Sequence, residues 1–180
     1  KVEDDRVMLW KGREMKLIYD LGANHGGDTA FYLAKGARVV AVEASPSLAA
    51  VLRSRFAREI AEGRCVIVEA AIMPQACTVP FFVNPRCDHW SSLSEEWASR
   101  DGGPVERYEV RGAPVSELFA EYGAPYYMKV DIEGADKDVV EQLSRLEEKP
   151  RFMSVEEWGV HALDALAALG YDRFSVRTQW

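Results

Sequence analysis

Short apolar runs alternate along this chain with segments of helical spacing, and nearly every run stops at an acidic residue. Leu17-Ile18-Tyr19 ends at Asp20 and a glycine-rich turn, Val39 to Val42 at Glu43, and Cys65 to Val68 at Glu69. Pro125 to Val130 ends at Asp131 and Arg151 to Val155 at Glu156. Runs so short and so uniformly apolar suit strands buried on both faces. Between them, Asp28 to Lys35 reads as a helix with Asp28 as N-cap and Gly36 as its stop. Ser45-Pro46 opens another, with Leu48, Val51, Leu52, Phe56 and Ile60 on one apolar face. Val139, Val140, Leu143 and Leu146 mark a third helix, and His161 to Leu169, stopped by Gly170, a fourth. Val79 to Val83 and Val105 to Val110 read as short extra strands, and Tyr171 to Val176 as a sixth main strand. Such alternation predicts an α/β fold, a doubly wound and mainly parallel sheet covered on both faces. At 180 residues the chain, 1–180, suits a single domain.

In such sheets the ligand sits beyond the carboxyl ends of the strands, where strand order reverses, so the residues just after each apolar run matter most. The loop Asp20-Leu21-Gly22-Ala23-Asn24-His25-Gly26-Gly27-Asp28 places glycines and helix N–H groups directly behind the first strand. Its glycines, at 22, 26 and 27, do not spell GxGxxG, because Asn24 stands where the middle glycine would admit a pyrophosphate. An adenosyl ligand without a pyrophosphate, such as S-adenosyl-L-methionine (SAM), fits this loop better than NAD; the plain alternative is a strand-to-helix turn. Glu43 ends the second strand 21 residues after Gly22, where an acid can accept both hydroxyls of a ribose. Ala70 and Ala71, after the third strand, leave room for a flat ring.

Lys129-Val130-Asp131-Ile132-Glu133-Gly134 is the third constellation. A lysine inside a buried strand needs a partner, and Asp131 and Glu133, two residues apart, are expected to point to the same side. A structural ion pair is the competing explanation. Asn84 to Gly112 is the least regular stretch, a candidate lid or acceptor loop.

Composition closes off other classes. Twenty-two Lys plus Arg against 29 Asp plus Glu leave a net charge of -7, which argues against nucleic acid as a partner. Cys65, Cys77 and Cys87 form no CxxC pair, so a reducing, cytoplasmic setting is the expectation. Lys1 to Lys16 lacks the apolar stretch of a signal peptide, and no apolar run is long enough for a bilayer, so no membrane partner is expected. Asp131, Glu133 and Glu156 offer oxygen ligands that Mg²⁺ would accept, but no spacing demands a metal and none is expected.

Taken together, DxGANxG (Asp20 to Gly26) and KxDxEG (Lys129 to Gly134), with Val42-Glu43-Ala44-Ser45-Pro46, Ser91-Ser92-Leu93 and Ser154-Val155-Glu156, resemble the FkbM-type SAM-dependent methyltransferases over nearly the full chain. The resemblance implies a Rossmann-like class I methyltransferase fold. It also implies a final antiparallel strand that the chain, ending at Trp180, is expected to lack, as a piece of something longer would. It implies that Asp20, Gly22, Ala23, Asn24 and Gly26 line the methionine end of SAM, Glu43 its ribose and Ala71 its adenine, with Asp131 and Glu133 facing the transferring methyl. The implied acceptor is a small molecule, sugar or natural product bearing a hydroxyl.

Methyl transfer from a sulfonium is an in-line displacement, so positioning dominates, and an aliphatic hydroxyl also needs a base within hydrogen-bond reach. Asp131 is the first candidate, as base or as a clamp on the acceptor, and Glu133 the second; Lys129 would hold a carboxylate ionised. His25 and His89 are further candidate bases, His161 is expected to be structural, and Trp90 is a candidate acceptor wall. Two rivals stand beside this reading: an NAD(P)-dependent oxidoreductase, and a methyltransferase-like module without catalysis. Oligomeric state is not legible in the sequence.

Overall fold

A computed structural model describes residues 9–10, 13–156 and 161–176. In chain order these form β1 (Leu9–Trp10), β2 (Arg13–Glu14), β3 (Leu17–Leu21), α1 (Gly27–Ala34), β4 (Arg38–Glu43), α2 (Pro46–Arg55), α3 (Ala57–Ala61), β5 (Cys65–Glu69) and β6 (Ala71–Ile72). There follow β7 (Cys77–Val83), α4 (Glu95–Ala98), β8 (Glu106–Ala113), α5 (Val115–Tyr122), β9 (Tyr127–Val130), α6 (Asp136–Ser144), β10 (Phe152–Val155) and α7 (His161–Ala168). The charged N-terminal residues and the C-terminal Trp180 lie outside the described residues.

Five strands form one parallel sheet in the order β10-β9-β3-β4-β5. The chain winds outward from β3 to β5, then returns to the other side of β3 through β9 and β10. Order therefore reverses between β3 and β9, and the doubly wound α/β expectation is met. Strand periodicity explains the two-sided core. Tyr19, Leu21, Val40 and Val42 face one way, against Val115 and Leu118 of α5 and Val139 and Leu143 of α6. Val39 and Ala41 face the other way, against Leu33 of α1, Leu52 of α2 and Phe56. Buried Tyr19 extends its hydroxyl to the carbonyls of Leu118 and Gly123, each at 2.8 Å, which fixes α5 on the sheet.

A second, three-stranded sheet, in the order β6-β8-β7, sits beyond the end of β5. In it the two extra strands expected from sequence pair antiparallel, with Val79 opposite Val110.

Several local expectations need correction. Gly26, in the left-handed region, is the N-cap of α1, and Asp28 lies inside its first turn. Val51 is 45% exposed: the α2 helix ends at Arg55, and Phe56 turns the chain into α3, so the apolar face holds Leu48, Leu52 and Phe56 without it. Tyr171 to Val176 forms no strand. Its apolar residues fall at 171, 174 and 176, a spacing that offers no single strand face, and Val176 is 78% exposed. The irregular stretch ends earlier than expected, because residues from Glu106 onward belong to β8. Helix α5 is an element the alternation left unassigned.

Candidate functional site

A cavity of about 300 Å³ opens at the carboxyl ends of β3, β4 and β9, at the point where strand order reverses. Gly22 and Asn24 reach it from the loop after β3, and Glu43 and Ala44 from the end of β4. Ala70, Ala71 and Ile72 come from the β5–β6 junction, Phe81 from β7, and Asp131, Ile132 and Glu133 from beyond β9. Asp88, His89, Ser91 and Leu93 close it from the irregular segment.

The backbone donors of the loop after β3 tie it to the end of β4 and to itself. The N–H groups of Gly22 and Ala23 both donate to the Val42 carbonyl, that of Asn24 to Glu43 Oε2, that of His25 to Asn24 Oδ1, and that of Gly26 to the Ala23 carbonyl. The backbone donors of Gly22 to Gly26 are thus spent within the protein. Gly22 is also required for a reason other than ligand approach. Its φ is +80°, and a Cβ there would lie 1.8 Å from the Asp131 carbonyl oxygen, so the ends of β3 and β9 could not meet.

Glu43 is buried yet lines the cavity. Its two oxygens each accept one backbone N–H at 2.8 Å, from Asn24 and from Ser45. Burial raises its carboxyl above the usual range, and those N–H bonds work against the rise. Each oxygen keeps a second lone pair.

Strand register sets Asp20 beside Lys129. The Lys129 ammonium lies 3.0 Å from Asp28, 3.1 Å from Asp131 and 3.6 Å from Asp20. Burial works against that ammonium, but the carboxylates of Asp20, Asp131 and Asp28 outweigh it and lift its pKa above the ordinary lysine value. Asp20 is fully buried and accepts the Thr29 hydroxyl at 2.6 Å. Burial raises its carboxyl, with Lys129 and Thr29 opposing. Asp20, Ala23, Gly26 and Lys129 therefore stand behind the cavity wall, whereas Gly22, Asn24, Glu43, Ala71, Asp131 and Glu133 form part of it.

Asp131 and Glu133 do not act as a same-side pair. β9 ends at Val130 and Glu133 takes a φ of +51°, so strand alternation stops short of it. Asp131 turns to Lys129, while Glu133 turns to the segment between β7 and β8. There its carboxylate accepts the Trp97 indole N–H at 3.0 Å and lies 3.5 Å from Arg100. Its carbonyl accepts the Ser92 hydroxyl at 3.0 Å. The Arg100 guanidinium lies between two indoles, 4.4 Å from the ring of Trp90 and 4.7 Å from that of Trp97. Trp90 thus packs on Arg100 and is not among the residues lining the cavity. Buried Asn84 shapes the start of the segment, its Oδ1 accepting from the N–H groups of Arg86 and Cys87 and its Nδ2 donating to the Ala98 carbonyl.

The histidines separate. His25 lies off the cavity, its Nε2 2.6 Å from Asp88 Oδ2, and Arg55 bonds its carbonyl. His89 lines the cavity. His161 is exposed at the start of α7. Sequence reasoning gave no sign of Phe81 as a wall residue, because only the return of β7 over the sheet edge brings it there; Asp88 and Leu93 come from the stretch expected to be a lid or acceptor loop. Among the described residues, no group of three or more His, Cys, Asp or Glu is arranged to hold a metal ion, and no helix is long and apolar enough to cross a membrane.

Comparison with known proteins adds the following. The family described as Methyltransferase FkbM domain matches residues 20–172. No curated protein matches the chain. Among solved structures, precorrin-6y C5,15-methyltransferase from Geobacter metallireducens GS-15 is 14% identical, covering 93% of this chain and 68% of its own, with a TM-score of 0.46. The glycopeptide N-methyltransferase MtfA, complexed with SAM, is also 14% identical, covering 59% of this chain and 69% of its own, with a TM-score of 0.29.

Proposed function

Because the chain belongs to the FkbM methyltransferase domain family, we propose that it transfers a methyl group from SAM, held in the cavity beyond β3 and β4, to a hydroxyl on a small molecule, sugar or natural product. Glu43 is the observation that carries this reading. Its carboxylate lies in the cavity wall at the end of the second main strand, and each oxygen, already fixed by one backbone N–H, has a lone pair left for a ribose hydroxyl. Ala70 and Ala71 leave room for adenine. Gly22 and Asn24 face the methionine end, on a loop shaped from behind by Asp20, Ala23 and Gly26. About 300 Å³ lies at the lower end of the range for small-molecule sites.

Asp131 serves as a clamp that accepts the acceptor's hydrogen bond. Lys129, 3.1 Å away, holds it in place, which is catalysis by positioning. Glu133 acts through the segment it ties down.

Thermal denaturation with S-adenosylhomocysteine, SAM, NAD and NADP tests the reading. The first two are expected to raise the melting temperature and the last two to leave it unchanged; stabilisation by NAD or NADP alone would favour the oxidoreductase rival. Two variants divide the labour. Glu43→Ala should weaken S-adenosylhomocysteine binding about tenfold or more. Asp131→Asn should leave that affinity within about twofold while methyl transfer to a mixed panel of methyl glycosides falls about a hundredfold. Normal turnover by Asp131→Asn would remove that residue from the chemistry.

A further inference from the structure

The reaction just proposed needs somewhere to put a proton, and the cavity's carboxylates are already engaged. Glu43 holds two backbone N–H groups, Asp131 faces Lys129, Glu133 faces Trp97 and Arg100, and Asp88 bonds His25. Glu156 is engaged as well. Each of these carboxylates is already held by a partner in the wall, and a proton taken up there would disturb that contact. His89 differs. It lines the cavity, its Nδ1 lies 3.4 Å from Asp88 Oδ1, and its side chain is 68% exposed. Imidazole changes charge near neutral pH, where a general base is most effective.

Resting on the methyltransferase reading, we propose that His89 accepts the proton of the attacking hydroxyl, with Asp88 as its positioning residue. The acceptor oxygen donates a lone pair to the methyl carbon of SAM. The carbon–sulfur bond breaks with its electron pair going to sulfur, and the hydroxyl proton passes to His89 Nε2. The products are a methyl ether, S-adenosylhomocysteine and an imidazolium, which loses its proton to water through its exposed edge. Asp88 Oδ1, 3.4 Å from Nδ1, favours the proton there and leaves Nε2 as the acceptor, and the other Asp88 oxygen is held by His25.

This geometry is testable without knowing the natural acceptor. Sinefungin carries an amine where SAM carries its methylsulfonium, so its ammonium marks the methyl position, whereas S-adenosylhomocysteine is uncharged there. The whole chain has three histidines, so ¹⁵N-labelled protein, assigned with His25→Gln and His161→Gln, reports each imidazole by NMR. Asp88 beside His89, His25 behind it, and the other charged groups of the wall (Glu43, Asp131, Glu133 and Glu156) are common to both complexes and cancel in the comparison. His89 should titrate about half a pH unit or more lower with sinefungin than with S-adenosylhomocysteine, and His161 should not move. Neutral His89 should carry its proton on Nδ1, and Asp88→Asn should return it to Nε2. Equal His89 titrations in the two complexes, or an Nε2–H form in the wild type, would overturn the assignment. Calorimetry showing that neither compound binds would overturn the methyltransferase reading and this inference with it.

Discussion

A lysine enclosed by three carboxylates, as Lys129 is by Asp20, Asp28 and Asp131, holds charge that no single partner could leave uncompensated. Removing one member of a buried pair costs about 3 kcal/mol, because the remaining charges are stranded, so Lys129→Met should lower the urea-derived stability by about that amount. The pH dependence follows from the direction of the shift. The folded state raises the Lys129 pKa above its ordinary value, so its contribution is complete below roughly pH 10.4 and is lost only as pH climbs through the higher folded value. The gap between wild type and variant should stay constant from about pH 8 to 10 and narrow above; a gap that widened there would contradict the ion-pair account. Two glycines in the same loop make a second contrast. Gly22→Ala sets a Cβ against the Asp131 carbonyl at positive φ and should cost about 3 kcal/mol or more. Gly27→Ala, with nothing within 4 Å and a place in the first turn of α1, should be neutral or stabilise by about 0.5 kcal/mol. Equal effects in the two denaturation curves would show that the close approach of β3 and β9 is not what requires Gly22.

The segment between β7 and β8 has little regular structure, yet it is tied down at both ends and in the middle. Asn84 caps its turn, Phe82 and Ser92 exchange backbone hydrogen bonds, and Trp97 and Arg100 hold Glu133. Trp97→Phe removes the indole N–H but keeps an aromatic face for Arg100. A hydrogen bond to a charged group is worth about 1.5 kcal/mol, so amide exchange over residues 84–105 should quicken about tenfold while β3, β4 and β5 are unchanged. Unchanged exchange in that segment would mean that Glu133 is not its anchor. Most of the other elements were legible because their periodicities are local. Even α5, left unassigned, shows Val115, Leu118, Phe119 and Tyr122 at helical spacing. The expected sixth strand failed for the converse reason: an apolar-rich stretch without period two has no face to bury.

At the scale of the molecule, function and stability share one place. The reversal of strand order between β3 and β9 leaves a gap in the helix cover, and the loop after β3, the end of β4 and the segment after β7 all converge on it. Binding there should stabilise the whole sheet: S-adenosylhomocysteine at a hundred times its Kd should add about 2.7 kcal/mol to unfolding. A calorimetric gain far below that, at a measured Kd, would mean that the unfolded chain binds too. The amino-acid sequence alone determined the strand–helix alternation, the parallel sheet and the acidic or glycine residue at each strand's carboxyl end, because each depends on a repeat a few residues long. Only the tertiary structure decided that the loop donors after β3 bond the end of β4, that Lys129 serves three carboxylates, that Glu133 leaves Asp131 for Trp97 and Arg100, and that His89 reaches the cavity. Those outcomes depend on contacts such as Ser92 with Glu133, 41 residues apart, or His25 with Asp88, 63 apart. Charge and hydrogen bonding at such separations are set by how the layers pack, and no local pattern of side chains encodes them.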